Sequence, residues 1–149
     1  RFQTAGKGQR GQHWESEPDA NLLMSVLLKN PLIFSEKPFL LSMLVAVVCR
    51  QLLAELLTTP VHIKWPNDLI IADRKAGGVL IENIYRGKEW QWAVAGIGIN
   101  INQTVFPEQL KQATSIKILT SQNHDSISLA QTLQHNLVDA FDQFLHSDE

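Results

Sequence analysis

Residues 61–101, VHIKWPNDLIIADRKAGGVLIENIYRGKEWQWAVAGIGINI, decide the fold. Val61 to Lys64 reads as extended, Leu69 to Ala72 as a strand, Gly78 to Asn83 as a strand and Glu89 to Ala95 as another, prolonged by Gly96 to Ile101. Between them stand only Pro66-Asn67-Asp68, Asp73-Arg74 and Arg86-Gly87-Lys88. Connections this short join antiparallel strands, because a parallel crossover needs about a dozen residues or more. Upstream, the apolar run Asn21 to Lys29 predicts a buried strand ended by Asn30-Pro31. Ser35 then caps a helix with Pro38 in its first turn, and Leu40, Met43, Leu44, Val47, Val48 and Leu52 recur at helical spacing to about Leu57. Thr58-Thr59-Pro60 stops it. Downstream, residues 107–113 predict a short helix. Asp125-Ser126 caps a last one, with Leu129, Leu133, Leu137, Phe141 and Phe144 on one face. The sum is α+β, a largely antiparallel mixed sheet with helices packed on one face. Residues 1–20, polar and glycine-rich, read as a long loop.

The chain has 149 residues, the size of one domain or part of one, and residues 1–149 are treated as a single incomplete unit. Its 13 Lys+Arg against 15 Asp+Glu give a net charge of -2, which argues against a nucleic-acid partner. Hydrophobic residues at 44% exclude a disordered chain. No apolar run is expected to reach the roughly 18 residues that span a bilayer, so no membrane partner is expected. The single cysteine, Cys49, excludes a disulfide framework and a cysteine-based zinc site, and fits a reducing, cytoplasmic compartment. No signal peptide opens the chain. It begins at Arg1 with a motif already under way, as though in mid-domain.

That motif is Gly6-Lys7-Gly8-Gln9-Arg10-Gly11. As a bare pattern it is G-x-G-x-x-G, but the dinucleotide fingerprint has meaning only between a strand and a helix. Here Gln12 to Pro18 follows, without a helical apolar stripe, so a Rossmann site is rejected. What survives is physical. Glycines let backbone N–H groups approach an anion closely, Lys7 and Arg10 add charge, and Trp14 offers a flat face to a ring such as adenine. Two readings stand, a cradle for a nucleotide-like or acyl-phosphate ligand and a mobile surface loop with solvated basic residues.

In Lys64-Trp65-Pro66-Asn67-Asp68 a lysine closes an apolar extended segment, and Pro66 fixes the chain beyond it. An ammonium rooted in a sheet can hold a carboxylate or phosphate as a point charge. Asn67 and Asp68 either make the turn or orient a ligand or metal, and Trp65 fits core packing better than ligand contact. Lys75 precedes Gly77-Gly78, a pair that marks close backbone approach. Lys75 alone would equally serve as an exposed turn residue, and Glu82 as a strand salt bridge.

Taken in order and spacing, GKGQRGQHW at 6–14, KWPND at 64–68, Lys75-x-x-Gly78-x-Leu80-x-Glu82, Gly96 to Asn102 and Thr114-Ser115-Ile116 resemble the catalytic domain of biotin-protein ligases, over residues 3–145. The resemblance implies a class II synthetase-like fold and an ATP-dependent enzyme. It would join biotin to ATP as biotinyl-5'-adenylate, release pyrophosphate, and pass biotin to a lysine of a biotin carboxyl carrier protein. It implies Lys64 as the catalytic ammonium, with Gln3, Gly6, Lys7, Gly8, Gln9 and Lys64 around biotin. Gln9, Arg10, Trp14, Asn67, Lys75 and Asn100 would surround ATP or the adenylate. Mg²⁺ would arrive with ATP, no residue is assigned to a metal, and a homodimer through strand edges is compatible. The sequence departs from the family pattern at Lys7 and Gln9, where arginines are usual, and at Gly77, where Ala, Ser or Cys is common. It also lacks the upstream Ser-Thr-Asn biotin motif and the small β-barrel after the last helix. The competing functions are a non-catalytic biotin or adenylate binder and a lipoate or octanoate ligase or transferase of related fold.

Other residues are left to packing. His13, His62, His124, His135 and His146 lack metal-ligand spacing, Cys49 fits an inert core thiol, and Trp90 and Trp92 are expected on one strand face. No serine-hydrolase elbow or P-loop is present.

Overall fold

A computed structural model describes residues 3–29, 34 and 37–146. The predicted features at Asn30-Pro31 and Ser35 lie outside the described residues. Two short strands come first, β1 (Gly6–Lys7) and β2 (His13–Trp14), followed by β3 (Leu22–Lys29), α1 (Phe39–Leu56), β4 (Val61–Lys64) and β5 (Asp68–Ile71). Then come β6 (Arg74–Arg86), β7 (Glu89–Ile99), α2 (Ile116–Thr120) and α3 (Ser126–His146). The main sheet has the order β3-β7-β6-β5-β4, and each of these neighbours pairs antiparallel. The expected α+β architecture is therefore present. Among the described residues the parallel element is one bridge, Lys75 to Ala113.

Alternation separates the two faces of the sheet. Val61, Leu69, Ile71, Val79, Ala95, Ile97 and Ile99 are buried on the face covered by α1 and α3, together with Leu41, Val45, Leu53, Leu133 and Leu137 of the helices. Asp125 caps α3 by accepting from the Ile127 N–H at 3.0 Å. Cys49 is fully buried in this core, and desolvation pushes its thiol up to about 12, as an inert thiol requires.

Several expectations are corrected. Helix α1 is 18 residues long with a mean hydropathy of 1.9, so by length and composition it could cross a membrane. Its buried residues pack on the sheet and α3, which is how a core helix passes that test. Among the described residues strand β3 pairs on one side only, with β7, and Leu27 stands 61% exposed, so it is an edge strand rather than a buried one. The first twenty residues contain the β1–β2 ladder, closed by a 3-10 turn at Gln9–Gly11. The helix expected at 107–113 is a single 3-10 turn, Glu108–Leu110. Helix α2 was not anticipated, although Ser115 caps it by accepting from the Ile118 N–H at 3.2 Å. Trp90 and Trp92 do not share a face. Tyr85 pairs with Trp90 while Ile84 pairs with Trp92, so Gln91 is a surplus residue that turns the two indoles apart. Trp90 is in the core, stacked near Tyr85 at 6.0 Å, and Lys29 lies over Trp92.

Candidate active site

A cavity of about 640 Å³ occupies the sheet face turned away from the helices. Its floor follows from register. Leu23, Gly98, Gly78, Asp68 and Lys64 pair successively across all five strands and so form one row on one face. Ser25, Gly96 and Leu80 form the next row. Glycines in the middle of both rows leave the trough. Gly98 is required by contact: a Cβ there would come within 2.6 Å of Trp14 Cε2. The Trp14 indole thus rests on the floor, and its Nε1–H finds no acceptor among the described residues. The β1–β2 hairpin that carries Trp14 forms the opposite wall. Lys7 ties that hairpin to β6 through Glu82 at 3.3 Å, an exposed pair of small energetic weight.

The KWPND turn closes one end. The Trp65–Pro66 peptide is cis, and the Asn67 N–H donates to the Lys64 carbonyl at 3.2 Å. Asn67 is buried and sewn to β6: its Nδ2 donates to the Val79 carbonyl at 2.6 Å, and its carbonyl accepts from the Val79 N–H at 3.0 Å. Register then shifts. Leu69 pairs with Gly77, but Ile70 pairs with Lys75, leaving Ala76 as a surplus residue in β6. A regular ladder would set Lys75 opposite the buried Ile71, on the helix-covered face. The bulge sets it opposite Ile70, on the cavity face. There the Lys75 ammonium meets Asp68 Oδ1 at 2.7 Å with the lysine side chain 43% exposed, a charge-assisted contact that leaves room for a second anion.

Of the residues predicted from sequence, Gln3, Lys7, Gly8, Gln9, Trp14, Asn67 and Lys75 come together on the cavity wall. Gly6 lies buried just behind it in the hairpin. The Arg10 side chain lies outside the described residues. Lys64 is not on the wall. It ends the floor row on the edge strand β4, exposed, and makes no ion pair with a described residue. With strands about 4.8 Å apart, it stands roughly 10 Å from Gly78. Asn100 is also off the wall, buried, its Nδ2 donating to the Thr114 carbonyl at 3.0 Å. Trp65 is 73% exposed, beside Phe39 and at the cavity's rim, not in the core. Sequence reasoning passed over Gly96 and Ser25 as floor residues; the i, i+2 spacing of Gly96 and Gly98 in a strand was the available signal.

Residues 1–100 match the model of the biotin/lipoate A/B protein ligase family. The chain belongs to that family. It is 34% identical over 139 residues to the bifunctional ligase/repressor BirA of Bacillus subtilis, an alignment spanning 91% of this chain and 42% of that protein. The chain thus spans less than half the length of that relative. The biotin protein ligase of Aquifex aeolicus in complex with biotin and ATP superposes with a TM-score of 0.84 at 30% identity, covering 96% of this chain and 59% of that one. The Leishmania major biotin protein ligase in complex with biotinyl-5-AMP gives 0.75 at 29%, covering 93% and 61%. A biotin ligase-type catalytic fold is therefore established for the family member described here.

Proposed function

We propose that this chain activates biotin with ATP and transfers it to a lysine of a biotin carboxyl carrier protein. The observation that carries the proposal is Lys75, a cation on the cavity wall facing the glycine hairpin and Trp14. The biotin carboxylate lies along the trough beside Lys75, and its oxygen attacks the α-phosphorus of ATP while pyrophosphate leaves. The ammonium holds carboxylate and phosphate together against their mutual repulsion and stabilises charge gathering on the phosphoryl oxygens. Trp14 and the hairpin cover the resulting mixed anhydride from water. The acceptor lysine, as its neutral amine, then attacks the acyl carbon; AMP leaves and the amine loses a proton.

Lys75, not Lys64, takes the central role, because it stands on the cavity wall with its ammonium fixed by Asp68 at 2.7 Å, a closer and less exposed pair than Lys7 with Glu82 at 3.3 Å, whereas Lys64 stands off the wall. Gln9 and Lys7 meet the ligand from the hairpin, and Asn67 borders it from the turn. Mg²⁺ would be supplied bound to ATP. The two wall carboxylates, Asp68 and Glu82, are each paired with a lysine, and no group of three metal-binding side chains occurs among the described residues, so no step is assigned to a protein-held metal.

The test is biotin- and ATP-dependent pyrophosphate release, with mass spectrometry of a carrier domain. Lys75→Ala is expected to lose about a hundredfold or more, and Lys64→Ala no more than a few-fold. The opposite ranking would return the role to Lys64. Binding of lipoate without biotin would move the chain to the lipoate branch, and binding of biotin with no mass shift on the carrier would make it a binder only.

A further inference from the structure

Strand β7 leaves the sheet at Ile99, just where β6 bulges, so Lys75 would lose its neighbour on that side. A distant segment replaces it. The Lys75 N–H donates to the Gln112 carbonyl at 2.8 Å, and the Thr114 N–H donates to the Lys75 carbonyl at 2.8 Å, forming the parallel bridge at Ala113. The bulged Ala76 is held as well, its carbonyl accepting from the Asn100 N–H at 2.8 Å. Asn100 locks the replacement in turn: its Nδ2 donates to the Thr114 carbonyl at 3.0 Å, and its own carbonyl accepts from the Ile116 N–H at 3.1 Å. Thr114 is fully buried and its hydroxyl has no partner among the described residues. Its backbone therefore carries the connection.

We infer that Thr114, fixed by Asn100, is a positioning residue whose backbone N–H holds the bulged β6 in the register that points Lys75 into the cavity. A bulge leaves a strand free to slip by one residue, and a one-residue slip sends a side chain to the other face. Two backbone hydrogen bonds made at Lys75 itself, from outside the β5–β6 ladder, remove that freedom. The inference rests on Lys75 being the working cation, but its test does not depend on biotin alone.

The variant is Thr114→Pro, which deletes the N–H and keeps the buried volume close. Two measurements are made on the whole chain. The first is competitive acetylation of lysines without ligand. In the wild type, Lys75, paired with Asp68, is expected to react about tenfold more slowly than exposed Lys64. In Thr114→Pro that protection is lost while other lysines keep their rates. The second is titration of biotin against biotinol, which has an alcohol in place of the carboxylate. The wild type is expected to prefer biotin about tenfold. Thr114→Pro and Lys75→Ala should both erase the preference while leaving biotinol affinity within about threefold, and the double variant should add nothing. Unchanged Lys75 protection in Thr114→Pro overturns the inference whatever biotin does. Protection lost in a chain that binds neither ligand upholds the positioning and sinks the biotin proposal instead. Should Thr114→Pro not fold, Asn100→Ala decides by the same protection assay, with a smaller loss expected and no loss overturning the inference.

Discussion

Two adjacent rows of the same sheet have opposite fates. Leu22, Ile99, Gly77, Leu69 and Ile63 form one, and Leu23, Gly98, Gly78, Asp68 and Lys64 form the other. They are one residue apart on every strand. The first faces the helices and has large apolar side chains wherever space allows. Its glycine, Gly77, is there because a Cβ would lie 2.8 Å from the Gly98 carbonyl. The second faces the hairpin and is empty in its middle, with charge collected toward one end. A single ladder thus supplies a core from one parity and a binding trough from the other. The two tasks are separable because side chains of neighbouring residues scarcely meet through the sheet.

Substitutions in the two rows should therefore fail differently. Leu69→Ala, at a fully buried position, should cost about 2–5 kcal/mol in urea unfolding. Gly98→Ala drives a methyl into Trp14, at the surface of the fold. It should weaken biotin binding about tenfold by calorimetry and change stability by no more than about 1 kcal/mol. If Gly98→Ala unfolds the protein as Leu69→Ala does, with binding intact in whatever remains folded, the contrast between the rows is broken. The smallest effect sharpens it at the turn where β5 hands over to β6. Ala72 and Asp73 have φ of 48° and 59°, a left-handed pair that suits Asn-Gly far better than alanine. Ala72→Gly should gain about 0.5–1 kcal/mol of stability and leave biotin affinity unchanged, since the turn belongs to neither row's work.

Alternation and short turns made the sheet legible: Val61, Leu69, Ile71 and Val79 announce the covered face, and the three tight connections announce antiparallel order. The hairpin, the KWPND turn and Lys75 were legible as chemistry. What alternation cannot reveal is where it breaks. Ala76 and Gln91 each add one residue to a strand with no compositional mark, and so Lys75 and Trp90 were not placed from the sequence. That Lys64 stands off the cavity wall has a different cause. Its role depended on how far β4 lies from the centre of the sheet, and loop lengths give direction of pairing, not distance from the edge. Trp14 on Gly98 joins residues 84 positions apart, and only the tertiary fold brings a tryptophan to the position a glycine leaves open.

The trough runs across the strands rather than along them, and that gives it a ruler. Three strand-to-strand steps separate Leu23 from Asp68, so its length is about 14 Å, fixed by the number of strands and indifferent to which side chains line it. Side chains can change its depth and grip; only another strand can lengthen it. Any longer ligand must climb over the KWPND turn, past the exposed indole of Trp65, or out beneath the hairpin.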